Sequence, residues 1–167
     1  GTAAGQLNEP VGLAVHSDGR LFVADTWNRR IQVFNGFGQY MTSWVINGWS
    51  GDQGNRPYLA IDEDRGQLYV TDPDAARVLV YDLNGVLLGS FGQPGSVEGG
   101  LNAAQFNVIG GIAINGDGQV FIADAGAARL LRFEPWDAIA VSAPQEPDAV
   151  LEPLATEEVT EEVTAEV

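Results

Sequence analysis

The stretch LFVADTWNRRIQVF (21–34) decides the fold, because it returns as LYVTDPDAARVLVY (68–81) and again as VFIADAGAARLLRF (120–133). Each copy reads as a short apolar strand, an Asp, five steps to an Arg, and a second strand closing on an aromatic. The copies start at residues 21, 68 and 120, which is 47 and then 52 apart. Self-similarity at such a period marks a propeller or a solenoid rather than one two-layered core. β-Branched and aromatic residues fill the strands, and Gly, Asn and Asp separate them. No segment before residue 134 carries a sustained helical period.

Working outward from the three copies, each unit gains an inner and an outer strand. The first runs PVGLAVH (10–16), LFVAD, RIQVF and QYMTSW (39–44). The second runs LAID (59–62), LYVTD, RVLVY and VLLGSF (86–91), and the third GIAIN (111–115), VFIAD, RLLRF and AIAVS (138–142). Asn84-Gly85 and Asp117-Gly118 predict tight hairpins of type I′, which needs positive φ. The expectation is an all-β chain, a partial β-propeller of three four-stranded antiparallel blades at about 6–48, 56–92 and 105–142. Residues 143–167 differ in kind: no aromatic, no basic residue, three prolines and TEEVTEEVT. That composition predicts a disordered, acidic, low-complexity tail.

Charge and composition bound the function. The chain of 167 residues carries a formal charge of −15, with 8 basic residues, all Arg, against 23 acids. Clustered cations are what a phosphate backbone needs, so an acidic body disfavours nucleic-acid partners. No Cys is present, which removes thiolate catalysis and Cys-ligated zinc. A phosphate-cradling loop ending in Gly-Lys has no place in a chain without Lys. No run of 18 apolar residues crosses a membrane as a helix.

The pattern resembles the NHL repeat, a blade type usually found in six-bladed propellers. The resemblance rests on Pro10 and Gly12, the Asp-Gly turns, Ala24-Asp25 and Ala123-Asp124, and the run Asn28 to Phe34. It covers roughly residues 6–143, with Ala in the second and third copies where the family usually has Asn. Three blades do not close a ring, and closure is what removes exposed sheet edges. The chain therefore reads as the C-terminal half of a larger propeller, completed by further blades in cis or by a second copy in trans. The resemblance implies a binding or scaffolding module for protein, peptide or glycan, appended to a larger bacterial protein and held extracytoplasmic or membrane-attached through other regions. The alternative it implies is a propeller lyase or lactonase using a divalent cation. RNA binding, seen in some members, would need an electropositive face.

Two residue sets carry the chemistry. Asp25/Arg30, Asp72/Arg77 and Asp124/Arg129 flank the turn between the second and third strands of each unit, and their repetition marks them as architectural. What varies between copies marks the candidate site. Trp27, Asn28 and Arg29 in the first turn, Asp74 in the second, and Trp49 and Arg56 in the loop into the second blade predict an aromatic and guanidinium patch on one face. Buried packing of Trp44 and Trp49 between blades is the competing reading. His16 is the sole histidine, too few for a His-built zinc site, so no catalytic residue and no cofactor are assigned. Asp52, Asp62, Asp64 and Asp117 are the oxygen donors that calcium would use, although no EF-hand loop is present.

Overall fold

Alternation of apolar and polar residues over five or six positions makes strands that bury one face or both, and pairs of them need only short turns. The computed structural model describes residues 1–51, 54–102 and 104–136, together with the backbone of Ala149–Leu151. Its first sheet is β1 (Pro10–Val15), β2 (Leu21–Asp25), β3 (Arg30–Phe34) and β4 (Tyr40–Val45), in that spatial order. The second is β5 (Leu59–Asp62), β6 (Gln67–Asp72), β7 (Arg77–Asp82) and β8 (Leu87–Phe91). A two-residue parallel pair follows, β9 (Gln93–Pro94) with β10 (Gln105–Phe106). The third sheet is β11 (Ile109–Ile114), β12 (Val120–Asp124), β13 (Arg129–Phe133) and β14 (Ala149–Leu151). All pairs within the three four-stranded sheets are antiparallel, as a meandering propeller blade requires.

Two expectations are corrected. The outer strand of the third sheet is Ala149–Leu151, paired Leu130 to Leu151 and Arg132 to Ala149. It lies inside the stretch read from sequence as tail, whereas AIAVS (138–142) falls outside the described residues. Both segments are short and apolar. The hairpin turns are also not type I′. In Asn115–Gly118 and Asp82–Gly85 only the glycine has positive φ, 82° and 91°, and Asn115 or Asp82 accepts from the glycine N–H. Asn115 Oδ1 and Asp82 Oδ1 add further bonds to their own turns, which suits a type I turn closed by glycine.

The sheets stack face to face through two apolar layers. Phe22, Ala24, Ile31 and Val33 of the first sheet meet Leu59, Leu68, Val70, Leu79 and Tyr81 of the second, with Ile46 and Trp49 filling the layer. Tyr69, Val78, Val80 and Phe91 of the second meet Val120, Ile122, Leu131 and Phe133 of the third, with Phe106 and Trp136. Successive residues of β6 and β7 therefore serve opposite neighbours, and the whole of β6 is buried. Aromatic contacts tie the layers: Trp44 lies 5.9 Å from Tyr81, and Trp136 stacks on Phe91 at 5.9 Å and 17°. Among the described residues no helix is long and apolar enough to cross a membrane.

Candidate functional site

The Asp and Arg of each copy face each other across the first register position after the turn, Asp25 to Arg30, Asp72 to Arg77 and Asp124 to Arg129. All three Asp are fully buried, and each holds its Arg Nε at 2.7, 2.9 and 3.1 Å. A buried carboxylate is tolerable only when paired and hydrogen-bonded. In the first sheet that condition is met in full. Asp25 accepts from Asn8 N at 2.7 Å, Asn28 Nδ2 at 2.8 Å and Gln32 Nε2 at 2.9 Å besides Arg30. Arg30 Nη2 then donates to the carbonyls of Ala3 and Gln6. The third sheet repeats this with the same chain offsets: Asp124 Oδ1 accepts from Asn107 N and Val108 N, and Arg129 Nη2 donates to Asn102 O and Gln105 O. Each node thus pins the connector that leads into its own sheet.

The second node is built differently. Thr71 stands where the other copies have Ala24 and Ala123, and its Oγ1 accepts from Tyr58 N at 2.7 Å. The pairings Pro10 to Asp25 and Ile109 to Asp124 that open the first and third sheets, each beside a register shift, have no counterpart in β5, which starts at Leu59 opposite Val70. Among the described residues, Asp72 Oδ1 is fully buried without a hydrogen-bond partner. A buried acceptor without a donor costs roughly 1–3 kcal/mol. Arg77 is also the most exposed of the three Arg, its side chain at 35% against 14% and 13%. Sequence reasoning missed this vacancy, although Thr71 was its visible signal.

The residues expected to form a patch are partly brought together. Gly51 lies against the first turn: a Cβ there would sit 3.0 Å from the Trp27 carbonyl and 3.3 Å from Arg29 Cγ. Next to it, Ser50 N donates to Asp74 Oδ2 at 2.8 Å. Trp27, Arg29 and Asp74 therefore rim one loop, 46–51, that bridges the first two sheets. Trp27 is 38% exposed, and Arg29 and Asp74 are exposed. Arg56 is exposed in the same connector, next in sequence to Pro57, whose carbonyl lies against Gly12. Among the described residues neither Arg29 nor Arg56 has an ion pair, unlike Arg20, Arg30, Arg65, Arg77 and Arg129.

Two expected members are elsewhere. Trp49 is 2% exposed and fills the layer between the first two sheets, because the loop after β4 turns back and the indole gains more from burial than from water. Asn28 is half-buried, its amide given to Asp25 Oδ2 and Gly1 O, so it belongs to the architectural node. His16 holds its own turn, Nδ1 lying 3.1 Å from Asp18 N. Asp62 is buried and accepts from Arg65 N and Nη1, and Asp52 lies outside the described residues. Among the described residues no three His, Asp or Glu side chains converge in a way that would hold a metal ion.

Comparison with known proteins agrees with this architecture. Residues 7–34 match the NHL repeat. The Drosophila melanogaster protein "Protein brain tumor" is 25% identical over 136 residues, 80% of this chain and 12% of the relative. Among solved structures, virginiamycin B lyase from Staphylococcus aureus superposes with a TM-score of 0.56 at 14% identity, over 75% of this chain and 38% of the lyase. Kuenenia stuttgartiensis hydrazine synthase gives a TM-score of 0.58 at 15% identity, over 77% of this chain and 33% of that one. At such identities the likeness concerns the fold. The chain spans about an eighth of its curated relative and 38% and 33% of these two solved chains.

Proposed function

We propose, from the premise that this chain is a run of NHL-type propeller blades, that it is a non-catalytic binding module whose ligand sits on the loop face where the first and second sheets meet. The carrying observation is the rim of loop 46–51, where Trp27, Arg29 and Asp74 come together with Trp27 and Arg29 exposed. In a chain of net charge −15, Arg29 and Arg56, which have no ion pair among the described residues, offer planar forks for a carboxylate. Trp27 adds an exposed aromatic surface beside them, the mixture typical of binding hot spots. A protein or peptide segment that presents a carboxylate to Arg29 and an apolar surface to Trp27 fits this rim; a glycan bearing an acidic sugar is the other ligand of that chemistry. As the resemblance implies, such a module serves a larger bacterial protein, with the acidic segment as spacer.

The test is calorimetric titration of the chain with a library of acidic peptides and acidic oligosaccharides, with neutral analogues as controls. Arg29→Ala and Arg56→Ala are each expected to weaken binding about tenfold or more, as loss of an interface Arg commonly does. Equal affinity for neutral analogues, or binding indifferent to both substitutions, removes this reading. A lyase or lactonase function instead requires a divalent cation, and stoichiometric bound metal by mass spectrometry, with activity lost on chelation, would favour it.

A further inference from the structure

The loop that joins the first two sheets lies between two guanidinium groups. A Cβ at Gly51 would sit 3.3 Å from Arg29 Cγ, and one at Gly48 would sit 3.7 Å from Arg77 Nη2. Three residues separate these glycines, so the two arginines meet the loop at points no more than about 11 Å apart. Arg30 and Arg129 donate from Nη2 to the carbonyls of their connectors. Arg77 donates from Nε to Asp72, and among the described residues its Nη groups have no acceptor. Arg29 and Arg56 have no ion pair among those residues. Three planar forks with unused donors therefore stand along one loop and its connector. Asp74, the acid of this rim, already accepts from Ser50 N.

The acidic segment leaves the sheets on the same face. β14 runs from Ala149, opposite Arg132, to Leu151, opposite Leu130, so the chain departs beside the turn that joins Asp124 to Arg129. That turn and its counterpart in the second sheet are linked through residues 92–107. A Cβ at Gly92 would sit 3.3 Å from the Ala76 carbonyl, Asn107 Nδ2 donates to Gly95 O at 3.3 Å, and Gly126 packs on Asn107. Ser50 against Asp74 and Gly51 against Trp27 carry the same face on to the first sheet. Residues 152–167 hold six Glu and no basic residue, four of the Glu in the pairs Glu157-Glu158 and Glu161-Glu162. Six or seven extended residues span about 20–25 Å, and packed sheets stand about 10 Å apart. Counted from Leu151, the first pair reaches from the third sheet to the junction of the other two.

We infer, on the reading that this rim is the binding face, that residues 157–166 fold back onto it and occupy it, their Glu carboxylates on Arg29, Arg56 and Arg77. The chain's own acidic segment is then the occupant that an outside ligand must displace. Charge selects it: Arg20, Arg30, Arg65 and Arg129 are each tied to a carboxylate already, whereas the rim keeps donors that those lack. Paired Glu side chains suit forks of this kind, which bind carboxylates through two parallel hydrogen bonds. The net charge of −15 opposes docking at long range, but charges more than about 10 Å apart are largely screened at 0.1 M salt. A tethered segment also meets its site at an effective concentration of about millimolar, so weak contacts suffice. Released from the rim, the same segment is free to act as the spacer.

Because the chain has no Cys, Ala165→Cys gives a single site for a nitroxide spin label in the full chain. Amide signals of Arg29, Gly48, Gly51 and Asp74 are expected to broaden, while those of Gly19 and Gly118, in turns on the opposite face, stay sharp. Glu157→Gln, Glu158→Gln, Glu161→Gln and Glu162→Gln together, all beyond β14, should abolish that broadening, as should Arg29→Gln combined with Arg56→Gln. Broadening that is absent, uniform or unmoved by the Gln substitutions overturns the inference. So does broadening that passes from labelled to unlabelled chains in a mixture. Titration with the peptide of residues 156–166, TEEVTEEVTAE, tests the fold-back apart from the rim's role as a binding face. The chain with four Gln is expected to bind it about tenfold more tightly than the parent, whose rim is occupied by a competitor at about millimolar effective concentration. Equal affinities that both fall with Arg29→Gln overturn the fold-back alone. No binding by either chain at millimolar peptide overturns the binding face and the fold-back with it.

Discussion

Arg29, Ala76 and Ala128 all have φ near +50°, and each immediately precedes the Arg of its node. The left-handed conformation costs a non-glycine residue about 1–2 kcal/mol, so the turn geometry is enforced by what the Asp and Arg on either side achieve. Ala128 is exposed, and Ala128→Gly is therefore expected to raise stability by about 0.5–1 kcal/mol, the relief being partly offset by the freer unfolded chain. Urea denaturation of the pair measures it. The nodes themselves rank by how completely each carboxylate is satisfied. Asp25→Ala strands Arg30, Gln32 and Asn8 N and is expected to cost about 3–5 kcal/mol. Asp72→Ala frees one guanidinium that is already part-solvated and should cost clearly less, about 1–3 kcal/mol. Equal losses at the two positions would contradict the difference described between the nodes.

At the scale of the elements, what the sequence made legible was period two. Leu68, Val70, Leu79 and Tyr81 point one way and Tyr69, Val78 and Val80 the other, and that alternation is written in LYVTD and RVLVY. The pairing of Asp with Arg five residues on was legible too, but not its further reach, since Arg30 Nη2 to Ala3 and Gln6 spans 27 and 24 residues. Trp27 and Trp49 look alike in a sequence, each near Gly, Asn or Ser; only the path of the loop after β4 sends one into the core. The Asp72 difference left one mark in the sequence, Thr71 in place of Ala24 and Ala123, but the missing inner-strand pairing behind it shows only once partners are known. Close sheet approach gives this scale its prediction. Gly12→Ala drives a methyl against the Pro57 carbonyl, a backbone atom that cannot swing aside, and is expected to destabilise by about 1–3 kcal/mol. Gly111→Ala, with open space at the same blade position, is expected to be nearly neutral in thermal melts of the monomeric chain.

The molecule as a whole should respond to alkali through its buried phenols. Burial pushes the Tyr69 hydroxyl up to about 12, with opposing help to its ionised form from the Trp136 N–H, and burial likewise raises Tyr81. A phenol whose pKa is higher folded than unfolded contributes stability that is intact below its ordinary value of 10.0, and that stability is lost as pH climbs through the folded value. Unfolding is thus expected between about pH 10 and 12, seen as tyrosinate absorbance rising together with loss of the strand signal. Tyr69→Phe should move that transition upward while lowering stability near neutrality, since Gln67 Oε1 and Trp136 N lose their partner. Titration of all tyrosines with the strand signal intact would contradict it.

Because the middle sheet is the one sandwiched on both sides, the three layers differ in how readily they open. Cooperativity in a linear array decays outward, so the terminal layers fray first while the centre holds. Amide protons of Leu68 to Thr71 and Val78 to Val80 should accordingly be the last to trade with deuterated water, and proteases should trim the chain toward a resistant kernel around them.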